Sequence, residues 1–144
     1  MAPGRRVSTV LEMVPALDGG PPIRVVIAGR RPDVRRALEI RLALEPDVAV
    51  VGSQSSVQAA LPVLRGLRPD VLLVDADTGP EIAAEALIEA RAAIRGLRVV
   101  LLTHHRDPGP GVPGADEVVV KDPDAGPLLA SLRRRVERRP QGFV

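Results

Sequence analysis

Three polar residues stand where apolar runs of the chain end, and their types could hold a small anion. Asp75 closes the run VLLVD, Thr103 closes RVVLLT, and Lys121 follows EVVV. Lys121 is the only lysine in a chain that otherwise takes its positive charge from arginine. A compact ammonium suits a carboxylate or phosphoryl group better than a planar guanidinium does. The three residues therefore indicate a site for a small anionic group attached to, or bound near, the Asp75 carboxylate.

The apolar runs that carry these residues alternate with helical patterns. Nearly continuous apolar runs of strand length are typical of strands buried on both faces of a parallel sheet. The five runs are IRVVIAG (23–29), VAVVG (48–52), VLLVD (71–75), RVVLLT (98–103) and EVVVK (117–121). Alternation with helices implies right-handed crossovers. We predict an α/β fold, a doubly wound five-stranded parallel sheet of the flavodoxin-like (βα)5 type, with strand order 2-1-3-4-5.

The residue patterns of the first and the fourth crossover predict their structure. The first helix should begin at Pro32 and end near Pro46, with an apolar stripe inward and its arginines outward. The stripe is Val34, Leu38, Leu42 and Leu44, and the outward arginines are Arg35, Arg36 and Arg41. The fourth crossover, between Thr103 and Glu117, interleaves three prolines with three glycines. We therefore predict that its helix is shortened or replaced by a loop.

Composition bounds the domain organisation and excludes several functions. The 144 residues predict a single domain over 23–139, an N-terminal extension and linker over 1–22, and a C-terminal tail over 140–144, with the last helix running roughly from Ala125 to Arg139. Phe143 is the only aromatic residue, so the chain has no platform on which to stack single-stranded bases. The absence of cysteine excludes disulfides and thiol chemistry, and fits a reducing, cytoplasmic location. No apolar stretch is long enough to cross a membrane.

The carboxyl ends of parallel strands meet at one edge of a sheet, which we call the rim, and ligands gather there. The predicted rim residues are Gly29, Arg30, Arg31, Asp75, Asp77, Thr103 and Lys121. Two interpretations stay open for several of them. Asp75 could instead cap the next segment, and the two arginines could be solvent-exposed cations, although Arg30 could also reach Asp75 as a fixed cation. The pair His104-His105, without cysteine or a third histidine, does not predict a zinc site.

Several of these segments resemble a known family. PDVLLVDAD (69–77) resembles the phosphoacceptor strand of receiver domains in bacterial two-component response regulators, with Asp75 in the acceptor position. RVVLLT and ADEVVVKD resemble the strands that end in that family's threonine and lysine, here Thr103 and Lys121. The likeness covers residues 23 to about 136 and is strongest to receivers that precede LuxR-type helix-turn-helix domains. It implies a signalling domain, with DNA binding left to a separate domain outside this chain.

The same likeness exposes departures that bear on function. Where the family has two adjacent acidic residues that hold Mg²⁺, this chain has Gly29 and Arg30. Glycine has no side chain to bind a metal, and arginine has the wrong charge. Val118 replaces an aromatic residue whose rotation reports phosphorylation in the family. We therefore interpret the chain as an atypical, or pseudo-, receiver without a metal or other cofactor.

The function that follows is a non-enzymatic regulatory module that acts through protein contacts, without normal Mg²⁺-dependent aspartyl phosphorylation. Its partner would be a protein or a sensor kinase, with a homodimer as an open alternative and no membrane contact. Two alternatives stay within the family: a receiver that accepts phosphate on Asp75, and a receiver that senses a small molecule. A dinucleotide-binding enzyme is disfavoured because only Gly29 follows the first strand, without a GxGxxG pattern. The arginines at 133–139 are either a solvated helix face or a contact surface.

Overall fold

The computed structural model describes residues 20–76, 84–104 and 113–143, with the backbone alone for 135–143. These residues form five strands and four helices. The strands are β1 (Ile23–Ala28), β2 (Val48–Gln54), β3 (Val71–Asp75), β4 (Arg98–Thr103) and β5 (Glu117–Val120). The helices are α1 (Pro32–Leu42), α2 (Val57–Leu67), α3 (Ala84–Ala93) and α4 (Gly126–Phe143). Apart from residues 20–22, the predicted N-terminal extension lies outside the described residues.

All five strands run parallel in one sheet of order β2-β1-β3-β4-β5, which confirms the predicted fold and strand order. Every residue of β3 is buried. Its last residue, Asp75, pairs in register with Leu102, one residue before the end of β4. Thr103 pairs with Val120, the last residue of β5. The strand ends that carry the predicted site residues therefore lie side by side along the rim.

Helices cover both faces of the sheet, as continuous apolar strands require. On one face α2 and α3 pack against alternate strand residues, and the fully buried members of this core include Val26, Leu64, Leu72, Leu87 and Val99. On the other face α1 and α4 pack against the intervening residues, and its fully buried members include Val25, Ile27, Leu42, Leu73 and Leu132. Without aromatic side chains, both cores are built from branched aliphatic residues and alanine.

Helices α1 and α4 differ from the sequence prediction at their ends. Helix α1 stops at Leu42, so Leu44 falls in the following turn and is 70% exposed rather than part of the inward stripe. Helix α4 continues to Phe143, beyond the predicted end at Arg139 and through most of the segment expected to be a tail. The helix passes through Pro140, although an interior proline removes one backbone donor and crowds the carbonyl four residues before it.

The fourth crossover is held against α3 by its last residues. Residues 105–112 lie outside the described structure, and the described residues 104 and 113–116 contain no helix, in keeping with a shortened fourth helix. Gly114 has φ of +94°, and a Cβ there would come within 2.8 Å of the Leu87 Cβ. Asp116 accepts a hydrogen bond from the Val99 amide at 2.7 Å and pairs with Arg91 at 2.5 Å. Glycine is therefore required at 114, and Asp116 fixes the start of β5.

Arg133 ties α4 to the turn between α1 and β2. Its guanidinium donates to both carboxylate oxygens of Asp47, at 2.7 and 3.0 Å, and to Glu45 at 2.8 Å. Glu45 also accepts from Arg41 at 2.9 Å. These hydrogen bonds from arginine lower the pKa of both carboxyls from their ordinary values of 4.5 for Glu45 and 3.8 for Asp47, and they raise the pKa of Arg133. One residue of the predicted arginine cluster is thus a structural link.

We expect Arg133→Gln to lower the melting temperature by roughly 2–4 °C at pH 7, a modest change because the paired groups are partly exposed. Lowered carboxyl pKa values stabilise the fold above the ordinary values and lose that contribution as the pH falls through the folded values. The difference between wild type and variant should therefore shrink as the pH is lowered from 6 towards 2, measured by thermal unfolding. Arg36→Gln, at an exposed position on α1, is the matched control; a difference independent of pH would contradict this account.

Candidate functional site

The centre of the rim is an ion pair between Asp75 and Lys121. The Asp75 side chain has no exposed surface, and its Oδ1 lies 3.0 Å from the Lys121 Nζ, whose side chain is 26% exposed. A buried carboxylate is stable only when charge or hydrogen bonds compensate it. The Lys121 amide donates to the Thr103 carbonyl at 2.6 Å, so the end of β4 fixes the position from which the lysine reaches Asp75. The two residues that the sequence predicted to meet are in contact.

Gly29 lies directly against Asp75. A Cβ built on Gly29 would stand 2.9 Å from the Asp75 Cβ, closer than such atoms approach in proteins. The Gly29 backbone is held against the end of β2, because its amide donates to the Gln54 carbonyl at 3.0 Å. The sequence indicated Gly29 only as a missing metal ligand. The structure adds a steric role, because β1 and β3 approach so closely at the rim that any side chain at 29 must displace Asp75.

Arg35 is a rim contact that the sequence analysis missed. It was expected to point outward from α1, yet it is half-buried and donates to the Gly29 carbonyl, while its Nε donates to the Ser53 hydroxyl at 3.0 Å. Arg35 therefore links α1 to the ends of β1 and β2 and holds Gly29 in place. Helical periodicity alone could not distinguish it from Arg36, which is exposed; the one available signal was its separation of six residues from Gly29.

The other predicted rim residues differ in their placement. Arg30 is exposed, and its approach to Asp75 stays a prediction. Arg31 precedes the first residue of α1, and its exposed side chain lies 3.6 Å from the Asp33 carboxylate, so this ion pair lies at the helix start. Thr103 is buried at the end of β4. Asp77 lies outside the described residues, as does His105, whereas His104 is exposed.

The described residues do not fit a Mg²⁺ site of the kind that the family resemblance implies. Among them, no three histidine, aspartate or glutamate side chains come together as metal ligands. At the position of one expected carboxylate, Gly29 offers neither a ligand nor the space for one. At the next position stands a guanidinium, which repels a divalent cation.

In the same described part of the chain, no helix is long and apolar enough to cross a membrane.

Solved structures with a similar fold include receiver domains of response regulators. The receiver domain of the response regulator NarL from Mycobacterium tuberculosis matches with a TM-score of 0.68 and 24% identity over 81% of this chain and 97% of that one. CheY6 from R. sphaeroides, crystallised with the P1 domain of CheA3, matches at 0.70 and 23%, over 82% and 99%. A LuxR-family DNA-binding response regulator from Staphylococcus aureus matches at 0.65 and 20%, over 78% and 98%.

The chain has the fold of a response regulator receiver domain. No family model and no curated protein matches the sequence. In this receiver fold, Asp75 ends the third strand and Lys121 follows the fifth, so the geometry brings together two of the residues on which the sequence resemblance depended. Val118, in the place of the expected aromatic residue, is half-buried against the core on the α2 and α3 face.

The steric role of Gly29 predicts that Gly29→Ala destabilises the domain by about 1–3 kcal/mol, because the added methyl overpacks the contact with Asp75. Gly66→Ala is the control, since a Cβ at Gly66 meets nothing within 4 Å in helix α2. That substitution should be neutral or stabilising by about 0.5–1 kcal/mol. Chemical denaturation measures both variants. Equal stability of the two would show that β1 and β3 are not in close contact at the rim.

The buried ion pair predicts an unequal effect of removing its two charges. Lys121→Met should lower the unfolding free energy by about 2–3 kcal/mol, because it strands the Asp75 carboxylate in the interior. Asp75→Asn should cost less, since it leaves no buried charge and the partly exposed lysine can be hydrated. The double variant should then be more stable than Lys121→Met alone in equilibrium denaturation. Additive losses in the double variant would contradict the pairing.

Proposed function

We propose that this receiver domain is an atypical, non-enzymatic regulatory module that signals through protein contacts and does not undergo normal Mg²⁺-dependent phosphorylation. Receiver chemistry of the usual kind needs a divalent cation beside the acceptor aspartate to neutralise the incoming phosphoryl group. The proposal concerns the rim alone, because the fold itself is compatible with either behaviour.

The contact between Gly29 and Asp75 carries the proposal. A receiver that had merely lost one metal ligand could keep space for water or a cation where the ligand had been. Here a Cβ at Gly29 would stand only 2.9 Å from the Asp75 Cβ, so no ligating side chain fits at position 29 unless Asp75 moves. Arg35 holds the Gly29 carbonyl, and Lys121 supplies positive charge to Asp75. These contacts support a rim that is arranged as a fixed structural unit around Asp75.

The alternative function, phosphate acceptance on Asp75, has one observation in its favour. Asp75, Lys121 and Thr103 lie at adjacent strand ends, as they would in a receiver that accepts phosphate. A phosphoryl group on Asp75 would then need charge compensation from Lys121 and from an arginine of the rim in place of a metal. The two functions differ in a single measurable property, which is whether Asp75 becomes phosphorylated.

The partners we propose are proteins, either a sensor kinase or another regulatory protein, with self-association as the alternative. The complex of CheY6 with a kinase P1 domain and the DNA-binding LuxR-family regulator support a signalling context. Any DNA contact would belong to a separate domain, and a cytoplasmic location fits the cysteine-free sequence.

Incubation with acetyl phosphate and Mg²⁺, followed by intact-mass measurement, tests the proposal. We expect no gain of a phosphoryl group and no calorimetric Mg²⁺ binding at millimolar concentration. Arg30→Asp should raise Mg²⁺ affinity, because it restores a carboxylate at the one of the two positions where a side chain has room. Arg36→Asp, with the same change of charge away from the rim, should not. A phosphorylated wild type whose label is lost in Asp75→Asn would favour the alternative.

A further inference from the structure

A cavity of about 360 Å³ lies beside the rim, between α1 and the beginning of α4. Its walls are mostly apolar, formed by Val34, Ala37, Leu38, Leu102, Val120, Pro123, Ala125 and Leu128. Lys121 also lines it, so one side chain faces both the cavity and Asp75. Its volume is within the range of pockets that bind small organic molecules. None of the residues discussed for phosphorylation other than Lys121 lines it.

The charges around the cavity favour a cation as occupant. Both of its positive side chains are already engaged with carboxylates outside it: Lys121 with Asp75 at 3.0 Å and Arg41 with Glu45 at 2.9 Å. The remaining charged lining residues are all acidic, namely Asp33, Asp122 and Asp124. Asp33 pairs with Arg31 at 3.6 Å. Asp122 and Asp124 each accept a backbone hydrogen bond. Neither has an ion pair with any residue that the structure describes.

We propose that this cavity binds a small organic amine, with an apolar body between α1 and α4 and its ammonium beside the acidic residues. The bound molecule would be sensed at the Asp75–Lys121 pair, because Lys121 forms part of the wall. An amine gains from the carboxylates of Asp122 and Asp124, whereas a carboxylate of the same shape is repelled by them. This site goes beyond the proposed function, since its occupancy does not depend on whether Asp75 accepts phosphate.

The sole lysine provides a specific probe. In the full chain labelled with ¹³Cε-lysine, a single side-chain resonance reports Lys121. Tryptamine and indole-3-acetate share a ring system and differ in the sign of their charge, so we choose them as probes. We expect tryptamine to shift the Lys121 resonance saturably, and to bind about tenfold more tightly than indole-3-acetate. The amide resonances of Leu38 and Ala125 should shift along with it.

Variants separate cavity binding from surface charge. Ala37→Phe, at an exposed position that lines the cavity mouth, should weaken tryptamine binding by about tenfold or more, whereas Ala92→Phe on α3 should not. Asp122→Asn keeps the oxygen that accepts a hydrogen bond from the Asp124 amide and should reduce the preference for the amine. Glu85→Gln, at an exposed position on α3, should leave that preference unchanged.

Equal affinity for the two probes, or an unmoved Lys121 resonance at saturation, would overturn the proposal. The absence of saturable binding by either probe would also overturn it. The phosphorylation experiment involves neither the cavity variants nor these probes. A failure of the amine site is therefore distinguishable from a failure of the proposed function.

Discussion

Burial of the Asp75 carboxylate is the constraint on which the rim depends. Strand β3 is buried along its whole length and ends in this aspartate, whose side chain has no exposed surface. An uncompensated charge there would cost several kcal/mol, on the order of the whole stability of a domain of this size. Lys121 must therefore reach Asp75 from the end of β5, and β5 must be held in register with β4 for it to do so. The contact between Lys121 and Asp75 therefore compensates a buried charge and also sets the geometry of the candidate site.

The fold was predictable because the information lies in local patterns. Five apolar runs without alternation, each closed by a polar or small residue, are enough to specify buried parallel strands and to bring Asp75 and Lys121 to one edge. The end of α1 and the end of α4 were not predictable in the same way. Leu44 continues the apolar periodicity of α1 but lies beyond its last helical turn. Helix α4 continues through Pro140, although the sequence predicted that it ends at Arg139.

The parts of the site that the sequence did not reveal are contacts between segments. The sequence cannot tell whether Gly29 has merely replaced a metal ligand or is required for steric reasons. Only the distance between a Cβ built at Gly29 and the Asp75 Cβ distinguishes the two. Arg35 belongs to a helix rich in arginine, so its turn toward the Gly29 carbonyl and Ser53 depends on how α1 crosses β1 and β2. Residue types locate a site, whereas the approach of its backbones decides what fits inside it.

Contacts at the start of β5 hold the strand that carries Lys121. Gly114 packs on α3, and Asp116 accepts a hydrogen bond from the Val99 amide and pairs with Arg91. Glu117 then engages Arg98 beneath α4 and accepts from Ser131 at 2.8 Å. These contacts link β5 to elements on both faces of the sheet, and its far end presents Lys121 to Asp75. Because Lys121 also lines the cavity beside α1, a molecule bound in the proposed site would act on Asp75 through a single side chain.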